Sequence, residues 1–402
     1  MIIAVPKETY PGERRVALVP ASVTSLVKGG VRVRLEANAG AAAGFTDEAY
    51  RAAGAEIVAD RRELFQSADV LLQVRGLGAN PEAGQADLES MRDGLVVVAP
   101  FDPLGNPSAV RKIAERGVTL FAMELIPRIT RSQSMDVLTS MAMIAGYKAV
   151  LLAAGALPKM FPLMMTAAGT LAPAKVFVIG GGVAGLQAIA SARRLGAVVQ
   201  AYDVRPVVKE QVESLGAKFV EMPLETTGAE TAGGYAKQLG EEFYQKQREL
   251  MGRVVAASDV CITTAAIPGK PSPRLITADA VHGMAPGSVI VDLAAERGGN
   301  CELTKADEVV VENGVTILGP TNLPAEVPTH ASQMLAKNLT NFLRLITRGG
   351  EFHLNLDDEV VRETLATYRG EVVSRQVREL LGLAPLETPP PGSPPVTHLA
   401  AK

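Results

Sequence analysis

The chain has no tryptophan, and aromatic residues make up only 4% of its 402 residues. Its 40 basic and 43 acidic residues nearly balance, for a net charge of -3. There is no polybasic run and no pattern of stacking aromatics, so nothing suits it to bind nucleic acid. Cysteine is as scarce: Cys261 and Cys301 lie in no CxxC pair and beside no histidine. A disulfide framework and a zinc site are thereby excluded, no metal is expected, and a reducing cytoplasm fits best. The opening "MIIAVPKETYPGERR" has too short an apolar run for a signal peptide, and no small-residue cleavage site follows. Histidine is missing from the first 281 positions; the four present are His282, His330, His353 and His398.

Long apolar runs are also rare. The one exception is Val137 to Leu157, "VLTSMAMIAGYKAVLLAAGAL", which is long enough to span a bilayer. Lys148 sits at its centre, where a lysine costs roughly 2.5–3.5 kcal/mol on insertion scales. The small residues around it predict a buried, closely packed helix with no direct membrane insertion.

What is abundant is alternation. Short Val/Ile/Leu runs at 2–5, 31–35, 55–58, 70–74, 95–98 and 118–122 are separated by helix-like stretches such as 21–29, 47–53 and 106–116. A second series runs through strand 176–179, helix 183–195, strand 198–202, helix 207–215, strand 217–220, a helix within 236–257, and strands 259–263, 288–292, 308–311 and 315–318. Strands alternating with helices predict a parallel sheet covered on both faces. The fold class expected is α/β, with two Rossmann-like doubly wound parallel-sheet domains bridged by long helices. The first domain is expected over 1–127 and, discontinuously, about 347–382, where 357–382 would add one or two helices. Residues 128–165 form a bridging loop and helix, 166–328 the dinucleotide-binding domain, 329–346 a return bridging helix, and 383–402 a disordered proline-rich tail.

"VFVIGGGVAGLQAIASARRLGAVVQAYDVR" (176–205) carries the strongest motif. Gly180, Gly182 and Gly185 follow a strand and open a helix, and the next strand ends in Asp203. That is the full context of a dinucleotide fingerprint. Gly180 permits the tight turn, Gly182 the close approach of a pyrophosphate, and Gly185 the packing of helix on strand. The helix start, with Val183 and Ala184, offers unpaired N–H groups and a positive dipole end to an anion. Asp203, with Val204 beside it, accepts from both ribose hydroxyls and repels a 2′-phosphate, so NAD(H) is favoured over NADP(H). Arg205 acts in the opposite sense, because it can pair with such a phosphate. Thr264, Ala265 and Ala266 end a later strand in small residues that would let a ligand lie against backbone; a plain strand-to-loop transition reads equally well. The long stretch "EMPLETTGAETAGGYAKQ" reads as a mobile functional loop or as a tolerated surface insertion.

Oxidation of an alcohol or amine by NAD moves a proton as well as a hydride, and the usual base is histidine. The first domain has none, although Lys or Asp could substitute. A hydride passing between two nicotinamide rings needs no proton relay; the protein has only to orient the rings. "PRITRSQSMDVLTS" supplies suitable polar groups in Arg128, Gln133, Asp136, Thr139 and Ser140. The same residues also read as an ordinary helix start, with Ser132 or Ser134 as cap and Asp136 in the first turn.

With these segments in view the chain resembles a known family, the NAD(H)-binding component of proton-translocating nicotinamide nucleotide transhydrogenases, in the form where that component is a separate soluble subunit. The resemblance covers about 1–380. It rests on "VPKETYPGERRVALVP" (5–20), "PRITRSQSMDVLTS" (127–140), "AGYKAVLLAA" (145–154), "VIGGGVAGLQAIA" (178–190), "DVRP" (203–206), "GGYAK" (233–237), "TTAAIPGKPSP" (263–273) and "VDLAAERGGNCE" (291–302). It implies that Arg128, Ile129, Gln133, Asp136 and Thr139 hold the nicotinamide of NAD(H) beside NADP(H) on a partner domain, with Gln133 bridging the two. It implies that the loop with Gly234 and Tyr235 closes over bound NAD(H). It further implies a homodimer joined to NADP(H)-binding and membrane-spanning subunits, at the cytoplasmic face of the inner membrane, with hydride transfer coupled to proton passage. Position 139 departs slightly, as serine is expected there; Thr139 keeps the hydroxyl. No apolar span follows the tail, which favours the separate-subunit form over a fused chain.

Alanine dehydrogenase is similar in fold, in "ERRVA" and in the glycine signature. It is expected to carry a Lys around 70–75 and a His shortly after the strand near 98. Here Arg75, Phe101 and Asp102 stand in those regions, which puts amino-acid oxidation in doubt. A non-catalytic NAD-binding module is the other alternative.

Overall fold

Runs of β-branched residues alternating with amphipathic segments build two separate sheets in the computed structural model, which describes residues 1–221, 241–267 and 269–386, with side chains omitted at 241–244. Gly234, Tyr235 and most of the loop expected to be mobile lie outside the described residues, as does 387–402. The chain divides into two compact units: Met1–Ser140 with the described part of Pro328–Lys402, and Met141–Val327. The division falls inside the helix Val137–Ala156.

The first unit holds an eight-stranded sheet in the order Glu371–Val372, Leu365–Tyr368, Thr119–Ala122, Val96–Ala99, Val70–Leu72, Ile2–Val5, Arg32–Glu36, Glu56–Val58. The six strands from the N-terminal part are parallel. Val70–Leu72, Val96–Ala99 and Thr119–Ala122 are buried at every position, as expected of strands covered on both faces. Helix Pro107–Glu115 shows why such stretches are helical. Asn106 caps it by accepting from the Ala109 N–H, a proline opens it, and Ala109, Val110, Ile113 and Ala114 form the buried stripe.

The end of the chain departs from expectation. Helices Glu359–Thr364 and Arg375–Leu380 are present, but between them Leu365–Tyr368 and Glu371–Val372 form a hairpin antiparallel to Thr119–Ala122. Arg369 and Gly370 both have positive φ, 50° and 80°, the pattern of a two-residue turn whose twist matches its strands. The buried Thr367 hydroxyl donates to the Val118 carbonyl and accepts from the Leu120 N–H, pinning the hairpin to the sheet. Helix Pro328–Leu343 packs within this unit, burying Leu335, Leu339, Phe342 and Leu343.

The second unit holds seven strands in the order Lys218–Phe219, Val198–Tyr202, Lys175–Ile179, Val260–Thr263, Val289–Asp292, Val315–Leu318, Val309–Glu312. All pairings are parallel except the final one. From Lys175–Ile179 the chain builds outward on one side, then returns to build on the other. The strand order therefore reverses between Lys175–Ile179 and Val260–Thr263, which in open α/β sheets is where ligands bind.

Helix Val137–Ala156 is less buried than its composition suggests. It is long and apolar enough to cross a membrane, and about a third of its apolar window is buried. Leu138, Met143, Tyr147 and Leu151 are 37–44% exposed along one face. The small residues do serve close packing on another face: a Cβ on Gly146 would lie 2.1 Å from the Ala184 carbonyl oxygen. Lys148 is paired with Glu326 at 3.0 Å. A hairpin of Met164–Thr166 and Gly169–Leu171, in a stretch expected to be loop, exposes Met165 by 77%.

Candidate functional site

The glycine turn has the geometry its residues foretell. Gly180 sits at φ +100°, and a Cβ there would lie 2.5 Å from the Thr264 hydroxyl oxygen. A Cβ on Gly185 would lie 1.8 Å from the Gly180 carbonyl oxygen, so helix Val183–Arg194 meets the turn only because this residue has no side chain. Nothing lies within 4 Å of a Cβ built on Gly182, the residue that opens the helix. Its surface is open, and no side chain caps the helix start. This open, N–H-lined helix end suits a pyrophosphate.

Two predicted segments meet here. The Thr264 N–H donates to the Ile179 carbonyl at 2.8 Å, and the Thr264 hydroxyl donates to the Gly180 carbonyl at 3.0 Å. Gly180–Gly185 and Thr264–Ala266 are thus neighbours at the point where the strand order reverses. Asp203 ends the adjacent strand, 9% exposed. Its Oδ2 accepts from the Gly181 N–H at 2.7 Å and its Oδ1 from the Arg205 N–H at 2.8 Å. The Arg205 guanidinium adds one bond to each oxygen, at 2.9 and 2.8 Å. The carboxylate expected to read a ribose is already engaged at all four acceptor positions.

Sequence reading passes over the residues that hold the second segment. Asn300 is fully buried; its Oδ1 accepts from the Ala265 N–H, and its Nδ2 donates to the carbonyls of Ala265 and Pro273. Asp292, also fully buried, accepts from the Thr263 and Thr304 hydroxyls and from the N–H groups of Ala294 and Cys301. These bonds fix the backbone of the strand end. No local pattern marks them; they fall within a stretch noticed only through the family resemblance.

In the first unit, Thr130–Met135 forms a 3₁₀ turn that presents Gln133 to solvent and buries Ser132 and Met135. Arg128 is exposed and Ile129 half-buried. The helix cap is Asp136, not Ser132 or Ser134. Its Oδ1 accepts from the Thr139 N–H at 2.9 Å, and the Thr139 hydroxyl donates to its Oδ2 at 2.6 Å. The serines belong to the preceding turn, where the Ser132 hydroxyl bonds the Pro127 carbonyl. Asp136 and Thr139 form a coupled pair, and Arg128, Ile129 and Gln133 lie on the same short segment.

The matching crevice of the first sheet, between Ile2–Val5 and Val70–Leu72, is filled from within. Glu8 accepts from the Val74 and Arg75 N–H groups at 2.6 and 3.2 Å. Burial pushes its carboxyl up to about 8, against the pull of those two donors. Glu13, fully buried, takes a bidentate bond from Arg15 and a further bond from Arg75, whose guanidinium lies 4.1 Å over the Tyr10 ring. Phe101 is fully buried. The two positions relevant to amino-acid oxidation are therefore a neutralised arginine and a core aromatic.

Comparison with known proteins agrees with this architecture. Residues 4–145 match the family described as "Alanine dehydrogenase/PNT, N-terminal domain", and residues 149–375 match the corresponding C-terminal domain. The chain is 48% identical over 376 residues to the first of the separately encoded pieces of NAD(P) transhydrogenase subunit alpha in Rhodospirillum rubrum, covering 93% of this chain and 98% of that one. The chain belongs to the NAD(P) transhydrogenase alpha-subunit family. The structure of a transhydrogenase from Sinorhizobium meliloti superposes with a TM-score of 0.82 at 46% identity, over 93% of this chain and 100% of that one. Alanine dehydrogenase of Bacillus subtilis is more distant, at 30% identity over 95% of each chain. The transhydrogenase family and two Rossmann-like parallel sheets are what the sequence leads one to expect; the closed first crevice and the Arg205-bound Asp203 are new.

Proposed function

We propose that this chain is the NAD(H)-binding subunit of a proton-translocating transhydrogenase, and that hydride passes directly between NAD(H) held here and NADP(H) held on a partner domain. The observation that carries the reading is the meeting of Gly180–Gly185, Thr264–Ala266 and Asp203 at the strand-order reversal of the second sheet. Bound NADH supplies the hydride and is left as NAD⁺; NADP⁺ accepts it and becomes NADPH. Gly182, Val183 and Ala184 offer backbone to the pyrophosphate, with Gly180 and Gly185 giving the clearance. Asp203, flanked by Val204 and Arg205, reads the ribose. Thr264, Ala265 and Ala266 line the approach, their backbone held by Asn300. Arg128, Ile129, Gln133, Asp136 and Thr139 orient the nicotinamide, with Asp136 and Thr139 acting as one unit. None of these side chains has to shuttle a proton, which accords with a first unit poor in histidine. Gly234 and Tyr235 would complete the closure over the dinucleotide.

The partners follow from the same reading: a homodimer joined to NADP(H)-binding and membrane-spanning subunits at the cytoplasmic face of the inner membrane. The exposed face of helix Val137–Ala156 and the hairpin bearing Leu163, Met165 and Leu171, all more than half exposed, support a protein partner.

The test is rapid-mixing hydride exchange with the NADP(H)-binding partner present. The wild-type chain should exchange hydride and should not oxidise alanine. Gln133→Asn should slow exchange at least tenfold while changing NADH affinity less than about threefold. Alanine turnover without exchange would refute the reading.

A further inference from the structure

The turn that carries Gln133 is held by something unusual for a buried helix face. The carbonyl oxygen of Ser134, the residue after Gln133, accepts from Asn338 Nδ2 at 2.9 Å and from Asn341 Nδ2 at 3.1 Å. Both asparagines belong to helix Pro328–Leu343, three positions apart and hence on one face. Asn338 is 5% exposed, among the buried Leu335, Leu339 and Phe342. Its Oδ1 is buried without a hydrogen-bond partner among the described residues.

A buried amide with one unsatisfied oxygen weakens a helix interface, and an aliphatic residue of the same size would serve the fold better. Stability therefore gives no reason for an amide at position 338. The bond it makes does. Only a side-chain donor can grip a carbonyl that the 3₁₀ turn leaves pointing at the helix. The helix is itself fastened in the first unit: the Ser332 hydroxyl accepts from the Val16 N–H at 3.0 Å, and the Thr329 hydroxyl donates to the Ala43 carbonyl at 2.8 Å. A second tie, Arg131 to Asp358, is exposed on the Arg131 side and is weaker support.

We infer that Asn338 and Asn341 are positioning residues for hydride transfer, forking onto the Ser134 carbonyl so that Gln133 is presented in one orientation. The inference rests on the role given to Gln133 in the proposed function. Neither asparagine need touch a nucleotide. Each acts by removing freedom from the adjacent residue, and hydride transfer is sensitive to misplacements on the order of an ångström.

The experiment measures single-turnover hydride exchange in the complex with the NADP(H)-binding partner, NADH affinity by fluorescence, and the melting temperature. The variants are Asn338→Leu, Asn341→Ala and Gln133→Ala, together with each asparagine variant in the Gln133→Ala background. Asn338→Leu should slow exchange about tenfold and Asn341→Ala about threefold, with NADH affinity changed less than about twofold. In the Gln133→Ala background either change should cost less than about twofold, because the residue being positioned is gone. Equal slowing in both backgrounds, or no slowing at all, would overturn the inference while leaving the role of Gln133 intact. Full exchange activity in Gln133→Ala alone would overturn the role of Gln133 itself, and this inference with it. Should Asn338→Leu fail to fold, the half-exposed Asn341→Ala decides by the same cycle.

Discussion

Replacing Arg205 by leucine isolates how the ribose is read. In the native chain the guanidinium occupies one acceptor position on each oxygen of Asp203, at 2.9 and 2.8 Å, while the Gly181 and Arg205 N–H groups occupy the others. Two ribose hydroxyls can reach that carboxylate only by displacing the guanidinium. Bonds to charged groups are worth about 1.5–3 kcal/mol each, and most of that loss is recovered as the ribose bonds form and the arginine rehydrates. A residual penalty of roughly 1–2 kcal/mol is expected, so Arg205→Leu should tighten NADH binding by about tenfold. NADPH should respond in the opposite sense. A 2′-phosphate about 5 Å from a lone carboxylate meets roughly 3 kcal/mol of repulsion per unit charge at an effective dielectric of 20. Arg205 cancels most of this; solvent screening leaves about 1–2 kcal/mol to reappear in the variant. The ratio of the two dissociation constants should therefore widen by about a hundredfold. Fluorescence titrations of NADH and NADPH at low ionic strength and at about 0.5 M salt measure it, and the NADPH penalty should shrink with salt. Weaker NADH binding with an unchanged ratio would refute the reasoning, since Arg205 would then be a direct contact of the dinucleotide rather than a displaceable cover.

Two further outcomes follow from geometry already described. In Gly185→Ala the new methyl starts 1.8 Å from the Gly180 carbonyl oxygen, so helix and turn must separate by about an ångström; NADH affinity should fall at least tenfold and the melting temperature by several degrees in a calorimetric scan, and a variant that binds normally would show that the turn is not the phosphate cradle. Glu124 accepts from the Phe101 and Asp102 N–H groups through Oε1, while its Oε2 is buried without a partner among the described residues, and burial pushes its carboxyl up to about 7. Because the folded value exceeds the ordinary 4.5, its contribution to stability is complete below pH 4.5 and lost as pH rises through about 7. Glu124→Gln keeps the accepting oxygen, so it should match wild type near pH 5 and be more stable near pH 8 by on the order of 1–3 kcal/mol in denaturant titrations; identical pH profiles would mean that Glu124 stays ionised.

Period and punctuation make much of this molecule legible. The strand 198–202 and the start of the helix at 183 fall where alternation and the glycine turn place them, because both follow from local chemistry. The hairpin at 365–372 is hidden because its strands are four and two residues long, and its turn hinges on Arg369 at an unusual φ for a residue with a side chain. Asp136 reads as a first-turn residue because two serines just before it are equally good caps on paper; the 3₁₀ turn uses them instead. Asn300, Asp292 and Asn338 leave no trace in local pattern, since each acts on backbone that is distant in sequence. Arg205 reads as a modifier of phosphate charge, but only the folded chain shows it lying on the carboxylate.

The self-filled crevice of the first sheet has a practical consequence. Glu13 already sits on Arg15 and Arg75 with the shape and charge of a small organic acid. Inhibitors built on an amino-acid or keto-acid scaffold would have to evict that tethered competitor, present at an effective concentration no free solute can match. Drug chemistry aimed at this half of the polypeptide should look to its outer surface, and leave the dinucleotide mimics to the other half.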